Sequence, residues 1–316
     1  MKVLVTGASG FVGRATCARL VTQDMDVIGA VRQLPSRLLT GVDYRIVGDL
    51  GAKTDWRDAL TGVDTIIHCA ARVHVMQETV ANPLDAFRAV NVAGTGQLAR
   101  QAAVAGVRRF IYLSSVKVNG DGGSVAYRET DLPAPQDAYG VSKYETELGL
   151  REIAAETGME VVMVRPPLIY GPGVKANFQA LMHALVRGIP LPLGAIHNRR
   201  SLVALDNVVD LIVTCIEHPA AENETFLVSD GEDLSTTELI RRLARAMCRP
   251  ARLIPVPTMV MMAGATFLGK REVARRLCCT LQVNITRSRE VLGWTPPVSV
   301  DEGLRRTANH YLQQQP

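Results

Sequence analysis

The sequence predicts an α/β protein, a doubly wound parallel sheet with a smaller α/β lobe attached. Three observations lead there. Apolar strand-like runs alternate with helical patterns from residue 1 to about 168. The first run feeds directly into a glycine-rich turn, and Gly171-Pro172-Gly173 then breaks the chain toward a second part. Short apolar strands alternating with helices give a parallel sheet covered on both faces and wound by right-handed crossovers.

The expected strands are Val3–Thr6, Asp26–Val31, Tyr44–Val47, Thr65–Cys69, Phe110–Ser114 and Val161–Arg165. Each is a continuous apolar run, as strands buried on both faces require. Beyond the break, Phe178–Arg187 reads as a helix, Arg200–Asp206 and Thr225–Asp230 as strands, and Val208–His218 as the helix between them. No repeat or low-complexity segment interrupts the pattern.

The turn after the first strand is Gly7-Ala8-Ser9-Gly10-Phe11-Val12-Gly13, followed by a helical stretch from Arg14 to Gln23. Strand, glycine turn and helix are the parts of a dinucleotide phosphate site, which makes the fold Rossmann-like. The glycines let the backbone approach a pyrophosphate, and the helix start supplies amide donors. The spacing here is G-x-x-G-x-x-G. Further along, Arg109-Phe110-Ile111-Tyr112-Leu113-Ser114-Ser115 reads as a strand ending in two serines, where an open α/β sheet binds ligands. Tyr139-Gly140-Val141-Ser142-Lys143 sets a phenol and an ammonium four residues apart, on one face of a helix. A free Tyr has a pKa of about 10. A neighbouring cation favours the phenolate and is expected to lower that value, suiting Tyr139 to proton exchange with a sugar or alcohol oxygen.

Taken together these motifs resemble the extended short-chain dehydrogenase/reductases, in the nucleotide-sugar epimerase/dehydratase group. Also matching are Asp49-Leu50, His68-Cys69-Ala70-Ala71, Asn91-Val92-Ala93-Gly94-Thr95, Arg165-Pro166, Tyr170-Gly171-Pro172 and Leu292-Gly293-Trp294-Thr295-Pro296, so the likeness runs nearly end to end. The resemblance implies that Ser115, Tyr139 and Lys143 are the catalytic trio. It implies that Gly7, Gly10, Phe11, Val12 and Gly13 hold the cofactor's phosphates, that Asp49 and Leu50 flank its adenine, and that Ala70, Asn91 and Pro166 line its groove. Residues 1–168 would be the dinucleotide-binding domain. Residues 169–316 would be mainly a substrate-binding lobe, with about 203–230 returning to the first sheet. A two-fold homodimer through paired helices, one beginning near Tyr139, is the habit of the family.

Composition sets limits. The chain has 316 residues, 47% hydrophobic and 21% charged, with a net charge of +4. Those values are ordinary for a globular protein and do not suggest nucleic-acid binding. Met1–Thr6 reads as a strand rather than a signal peptide. Val256–Gly269 is apolar and Met-rich but contains Pro257 and is too short to span a bilayer. A packed helix in the second lobe is expected there, with a membrane-contacting surface as the alternative. The six cysteines include no C-x-x-C pair and read as reduced thiols of a cytoplasmic protein. His68 and His74 flank the end of the fourth strand without ligand spacing, and no metal site is expected.

Three details bear on the reaction. By the resemblance, 4,6-dehydratases carry an Asp and a Glu directly after the catalytic hydroxyl residue; here those positions are Val116 and Lys117. The second strand ends Ile28-Gly29-Ala30-Val31-Arg32 with no acid for the ribose hydroxyls. Arg32, helped by Arg37, suits a 2′-phosphate, which favours NADP(H), with NAD(H) possible. NADPH in turn suits a net reduction. The stretches His68–Met76 and Ser115–Gly120 look like those of bacterial UDP-4-keto-6-deoxy-N-acetylhexosamine 4-reductases, which serve surface polysaccharide such as lipopolysaccharide O-antigen. The expected activity is thus NADPH-dependent reduction of the C4 ketone of a UDP-2-acetamido-2,6-dideoxy-hexulose. The alternatives are a UDP-hexose 4-epimerase acting on UDP-glucose or UDP-N-acetylglucosamine with tightly bound NAD, a reductase of another small carbonyl compound, and a non-catalytic NADP(H)-sensing regulator. For the UDP-sugar, the resemblance implicates Asn177 and Arg200. Ser201 departs from the usual Asp of that second segment.

Overall fold

The computed structural model describes residues 1–316 except 74–81, 268, 270, 315 and 316. His74, Val75 and Met76 of the stretch noted above lie outside the described residues. Seven parallel strands form the main sheet in the order β3-β2-β1-β4-β5-β6-β9. They are β1 (Lys2–Thr6), β2 (Asp26–Val31), β3 (Val42–Ile46), β4 (Thr65–His68), β5 (Arg109–Leu113), β6 (Glu160–Arg165) and β9 (Thr225–Leu227). A second sheet, β10-β8-β7, joins β7 (Leu168–Tyr170), β8 (Arg200–Ala204) and β10 (Asp233–Leu234).

The main sheet is buried because successive side chains of its strands feed two different cores. Val3 and Val5 point to the face covered by α1 (Phe11–Val21) and α7 (Leu205–Glu217), where Cys17, Leu20, Leu211 and Ile212 meet them. Leu4 points to the other face, covered by α2 (Arg57–Leu60), α4 (Thr95–Val104) and α5 (Ala138–Thr157), where Trp56, Leu98, Leu150 and Ile153 pack. This period-2 division is what a doubly covered sheet requires. The edge strand β3 begins two residues before the expected Tyr44. The polar pair Asp43 and Arg45 alternates with the half-buried Val42 and Tyr44, as suits an edge open to water.

Between β4 and α4 lie α3 (Pro83–Phe87) and a π-helical stretch, Arg88–Gly94. The smaller lobe packs Tyr170, Phe178, Met182, Leu234, Ile240, Leu243 and Leu304 around its own core. Its helices are α6 (Ala176–Val186), α8 (Thr236–Ala246), α9 (Thr258–Phe267), α10 (Arg271–Cys278) and α12 (Val300–Gln313), whereas α11 (Thr286–Leu292), expected in the lobe, packs Leu292 into the main-sheet core beside β9. Strand β9 pairs with β6 in the main sheet, Met163 opposite Thr225. Strand β8 instead pairs with β7 and β10. It stops at Ala204 because α7 starts one turn earlier than its apolar pattern implies.

One expectation holds only in part. Helix α9 packs on the lobe along one side, with Met261 against its core, but none of its residues is fully buried, and Met259 and Phe267 are 85% and 91% exposed. Its apolar composition runs around the whole helix, so sequence pattern gave no warning of an open face. Among the described residues no helix is long and apolar enough to cross a membrane.

Candidate active site

The strand order reverses direction of winding between β1 and β4, which opens a crevice at their carboxyl ends. The glycine turn sits there. Gly7 adopts φ +64°, a left-handed conformation that costs glycine little, and a Cβ on it would lie 2.9 Å from the backbone nitrogen of Ala70 in the loop after β4. A Cβ on Gly13 would collide with the carbonyl of Gly7, so the turn closes tightly onto the start of α1. Gly10 is exposed and caps α1 with no side chain, leaving the first-turn amides of Phe11, Val12 and Gly13 to face a ligand. This bare, glycine-walled helix start fits a dinucleotide pyrophosphate.

The end of β4 is fixed from both sides. His68 is fully buried, and its ring nitrogens bridge Thr6 Oγ1 at 2.7 Å and Thr95 Oγ1 at 2.9 Å. Burial drives its pKa down to about 3, so the ring is a neutral strut. Thr6 Oγ1 also accepts from the Ala70 amide at 3.2 Å, which ties β1 to the loop lining the crevice.

Asn91 stands on the π-helical stretch, a local widening often found beside functional groups. Its carboxamide accepts from Arg72 N at 2.8 Å and donates to Arg72 O at 3.0 Å and Ser142 Oγ at 3.0 Å. It therefore clamps the β4 loop to α5, one residue from Lys143. With 1% of its surface exposed, Asn91 supports the groove from behind.

Ser115 follows β5 and caps a 3₁₀ turn, Val116–Val118, accepting from Lys117 N at 3.2 Å. The carbonyl of Pro166 holds the same turn through Val116 N at 3.0 Å. Opposite it, α5 begins at the cap Asp137, whose carboxylate accepts from Gly140 N at 2.7 Å. A Cβ on Gly140 would stand 2.8 Å from Lys117 O, so glycine directly after Tyr139 lets the helix close on the Ser115 turn. That approach brings the Tyr139 side chain up to the Ser115 turn, close enough for Ser115 to influence the phenol's protonation. Phe87 meets the Tyr139 ring edge-on at 6.0 Å between centroids.

The charges do not match the simple expectation that Lys143 lowers the phenol's pKa. Surrounding protein pushes Tyr139 up to about 12, and nearby Asp137 adds to the rise; Ser115 opposes it. Lys143 is itself buried, which brings it down to about 8. Its Nζ donates to Leu113 O at 2.8 Å and lies 4.5 Å from the centre of the Tyr112 ring, against 5.8 Å for the Tyr139 ring. The ammonium is thus anchored to β5 beside the phenol, and desolvation outweighs attraction.

A second layer went unread in the sequence. Ser114 Oγ donates to Glu147 Oε1, and Glu147 forms a two-pronged ion pair with Arg165, at 2.9 Å from Nε to Oε1 and 2.5 Å from Nη2 to Oε2. Arg165 also donates to Asn119 at 3.1 Å. Glu147 lies one turn beyond Lys143, so the i,i+4 rule could have found it on the same face. Asp137, two residues before Tyr139, was legible as a helix cap. Lys117 pairs with Asp121 and, at 3.2 Å, with Asp137. It is a structural tie where dehydratases are expected to carry a proton donor.

The remaining candidates are more scattered. Leu50 packs where a Cβ on Gly94 would come within 2.7 Å of it. Asp49 and Arg32 are exposed at the mouth of the crevice, 3.8 Å apart. Arg37 is exposed as well, and its carbonyl accepts from Arg14 Nη1 at 2.7 Å. Asn177 lies exposed in the first turn of α6. Arg200 Nη1 donates to the carbonyls of Arg276 at 2.7 Å and Cys279 at 3.1 Å, at the end of α10. All six cysteines are unpaired, and no group of three metal-binding side chains occurs among the described residues.

Comparison with known proteins agrees with this architecture. The sequence model of the NAD dependent epimerase/dehydratase family matches residues 3–229. A Vibrio cholerae protein named UDP-glucose 4-epimerase is 47% identical over 315 residues, spanning 98% of this chain and 95% of its own. A UDP-glucose 4-epimerase of Mycolicibacterium smegmatis is 32% identical over 336 residues, spanning 98% of each chain. Among solved structures, the UDP-glucuronic acid 4-epimerase of Bacillus cereus in complex with NAD superposes at a TM-score of 0.81, with 21% identity over 99% of each chain. That last likeness speaks to the fold.

Proposed function

Because the chain belongs to the NAD dependent epimerase/dehydratase family and is an enzyme of it, we propose that it interconverts the C4 epimers of a UDP-hexose, using a retained NAD. The observation that carries this reading is the convergence of the Ser115 turn, Tyr139 and Lys143 at the carboxyl end of β5. Epimerisation is preferred to net reduction because the Vibrio cholerae relative, aligned over nearly the whole chain, bears that name.

When bound, NAD supplies the acceptor and then the donor of the C4 hydride. The protein handles the proton and the orientation. Tyr139 takes the proton of the C4 hydroxyl as the hydride leaves. It returns that proton to the same oxygen once the sugar presents its other face. Ser115 hydrogen-bonds the reacting oxygen and steadies its charge. Lys143, still mainly cationic at neutral pH, offsets the negative charge of the phenolate. In the free protein Tyr139 is a neutral phenol, so forming its base requires further positive charge beside it. Asn177 is proposed to meet the nucleotide, and the guanidinium of Arg200 to reach the diphosphate with the N–H groups not engaged on α10.

One feature favours a second reading, the NADPH-dependent C4-ketoreductase. Arg32 stands directly after β2 in place of an acid, 79% exposed and 3.8 Å from Asp49. The two readings separate in one experiment. Incubation with UDP-glucose and no added NADPH should yield UDP-galactose. Oxidation of NADPH only in the presence of UDP-2-acetamido-2,6-dideoxy-4-hexulose, with no epimer formed, would transfer the assignment to the reductase. We also propose a homodimer through α4 and α5, where Val104 and Leu148 lie exposed, and a reducing, cytoplasmic location in keeping with six unpaired thiols.

A further inference from the structure

Helix α9 contains no charged residue, Thr-Met-Val-Met-Met-Ala-Gly-Ala-Thr-Phe. Thr258, Met261, Met262 and Ala265 are half-buried, at helical spacing, and face the lobe. Met259, Val260, Ala263 and Phe267 form the opposite stripe and are exposed. Met259, Val260 and Phe267 keep 85%, 60% and 91% of their surface open. Ile254 before the helix and Val273 on α10 are also exposed, at 50% and 54%. Scattered exposed apolar residues need no explanation, but a contiguous patch on one element does.

The sequence around the patch is mainly basic. Residues 245–276 carry seven Arg or Lys and a single acid, Glu272, in a chain whose net charge is only +4. Arg249 and Arg252 precede the helix and Arg276 follows it, all three exposed. Ten residues of helix are half of what a bilayer crossing needs. An uncharged apolar stripe bracketed by basic side chains is the pattern of a helix lying in the plane of an anionic membrane surface, stripe down among the acyl-chain ends and arginines at the phosphates.

We propose that the α9–α10 edge docks on an anionic phospholipid bilayer. The argument is independent of the reaction assigned above. It also has a route to the site: Arg275 of α10 pairs with Asp121, which pairs with Lys117, and Lys117 meets the Asp137 cap of α5. A membrane-docked lobe is therefore joined by ion pairs to the turn and the helix that carry Ser115 and Tyr139.

The test uses the full chain with vesicles of phosphatidylcholine alone or containing phosphatidylglycerol, followed by flotation. The protein should float with the anionic vesicles at least ten-fold more than with neutral ones, and less as salt is raised. The double variant Met259→Ser/Phe267→Ser should lose that binding while keeping its thermal transition and its turnover of a soluble UDP-sugar, since neither side chain is buried. Arg249→Gln/Arg276→Gln should lower the preference for anionic vesicles several-fold. Equal flotation with and without phosphatidylglycerol, or unchanged flotation of the serine variant, would overturn the proposal. So would a failure to float combined with a dimer that the serine substitutions dissociate, which would make the face a contact between copies.

Discussion

The two ends of the crevice are built differently. At the sheet end, Ser115, Tyr139 and Lys143 are each held by backbone or buried partners: Lys117 N, the Asp137-capped helix and Leu113 O. At the lobe end, Asn177 is exposed with no such support, and Arg200 spends Nη1 on the carbonyls that end α10. The proposed proton carriers are thus held by strand register and one helix cap. The proposed sugar-nucleotide contacts depend instead on how α6 and α10 sit.

That contrast can be broken at the sheet end with large effects. Tyr139→Phe removes the only proton carrier proposed and should lower kcat by about 10²- to 10⁴-fold. Isothermal titration should show NAD binding retained, because the glycine turn is untouched. Glu147→Ala leaves Arg165 charged in a site where the two side chains are 2% and 4% exposed. Breaking a buried pair costs about 3–5 kcal/mol, so urea unfolding should show a loss of that order. Gly140→Ala presses a methyl against Lys117 O and should cost about 1–3 kcal/mol. It should also lower turnover, because it separates Tyr139 from Ser115.

A milder prediction sharpens the electrostatic account. Burial holds Lys143 at about 8 in the folded protein, below the ordinary lysine value of 10.5, so between those values the unfolded chain binds more protons than the folded one. Stability contributed through Lys143 must therefore rise with pH from about 8. Tyr139, held up near 12, acts oppositely, but only above its ordinary value of 10. Chemical unfolding from pH 7.5 to 9.5 should show the wild type gaining stability relative to Lys143→Met. A flat difference would mean that Lys143 is better solvated than its 2% exposure implies. At the lobe end, Arg200→Lys should raise KM for a UDP-sugar by a few-fold with little change in kcat.

How much of this was legible follows the same divide. The main sheet could be read because its inner strands are continuous apolar runs whose alternate residues feed two cores, as Val3, Leu4 and Val5 do. The glycine turn and Tyr139–Lys143 could be read because their spacing is local. The direction of the Tyr139 shift could not, since it depends on burial and on Asp137 as well as on the neighbouring lysine. The buried Glu147–Arg165 pair joins residues 18 apart in sequence, on different elements. The exposure of α9 was hidden because a helix apolar on every side carries no pattern that marks which side meets the core.

The most direct measurement is to incubate the purified protein with UDP-glucose deuterated at C4, in ordinary water and without added reducing cofactor. The account predicts UDP-galactose that keeps its deuterium at C4, because the hydride never leaves the site, and no such product from Tyr139→Phe above about a hundredth of the wild-type rate. Absence of any epimer, or product formed only as NADPH is consumed, would contradict it.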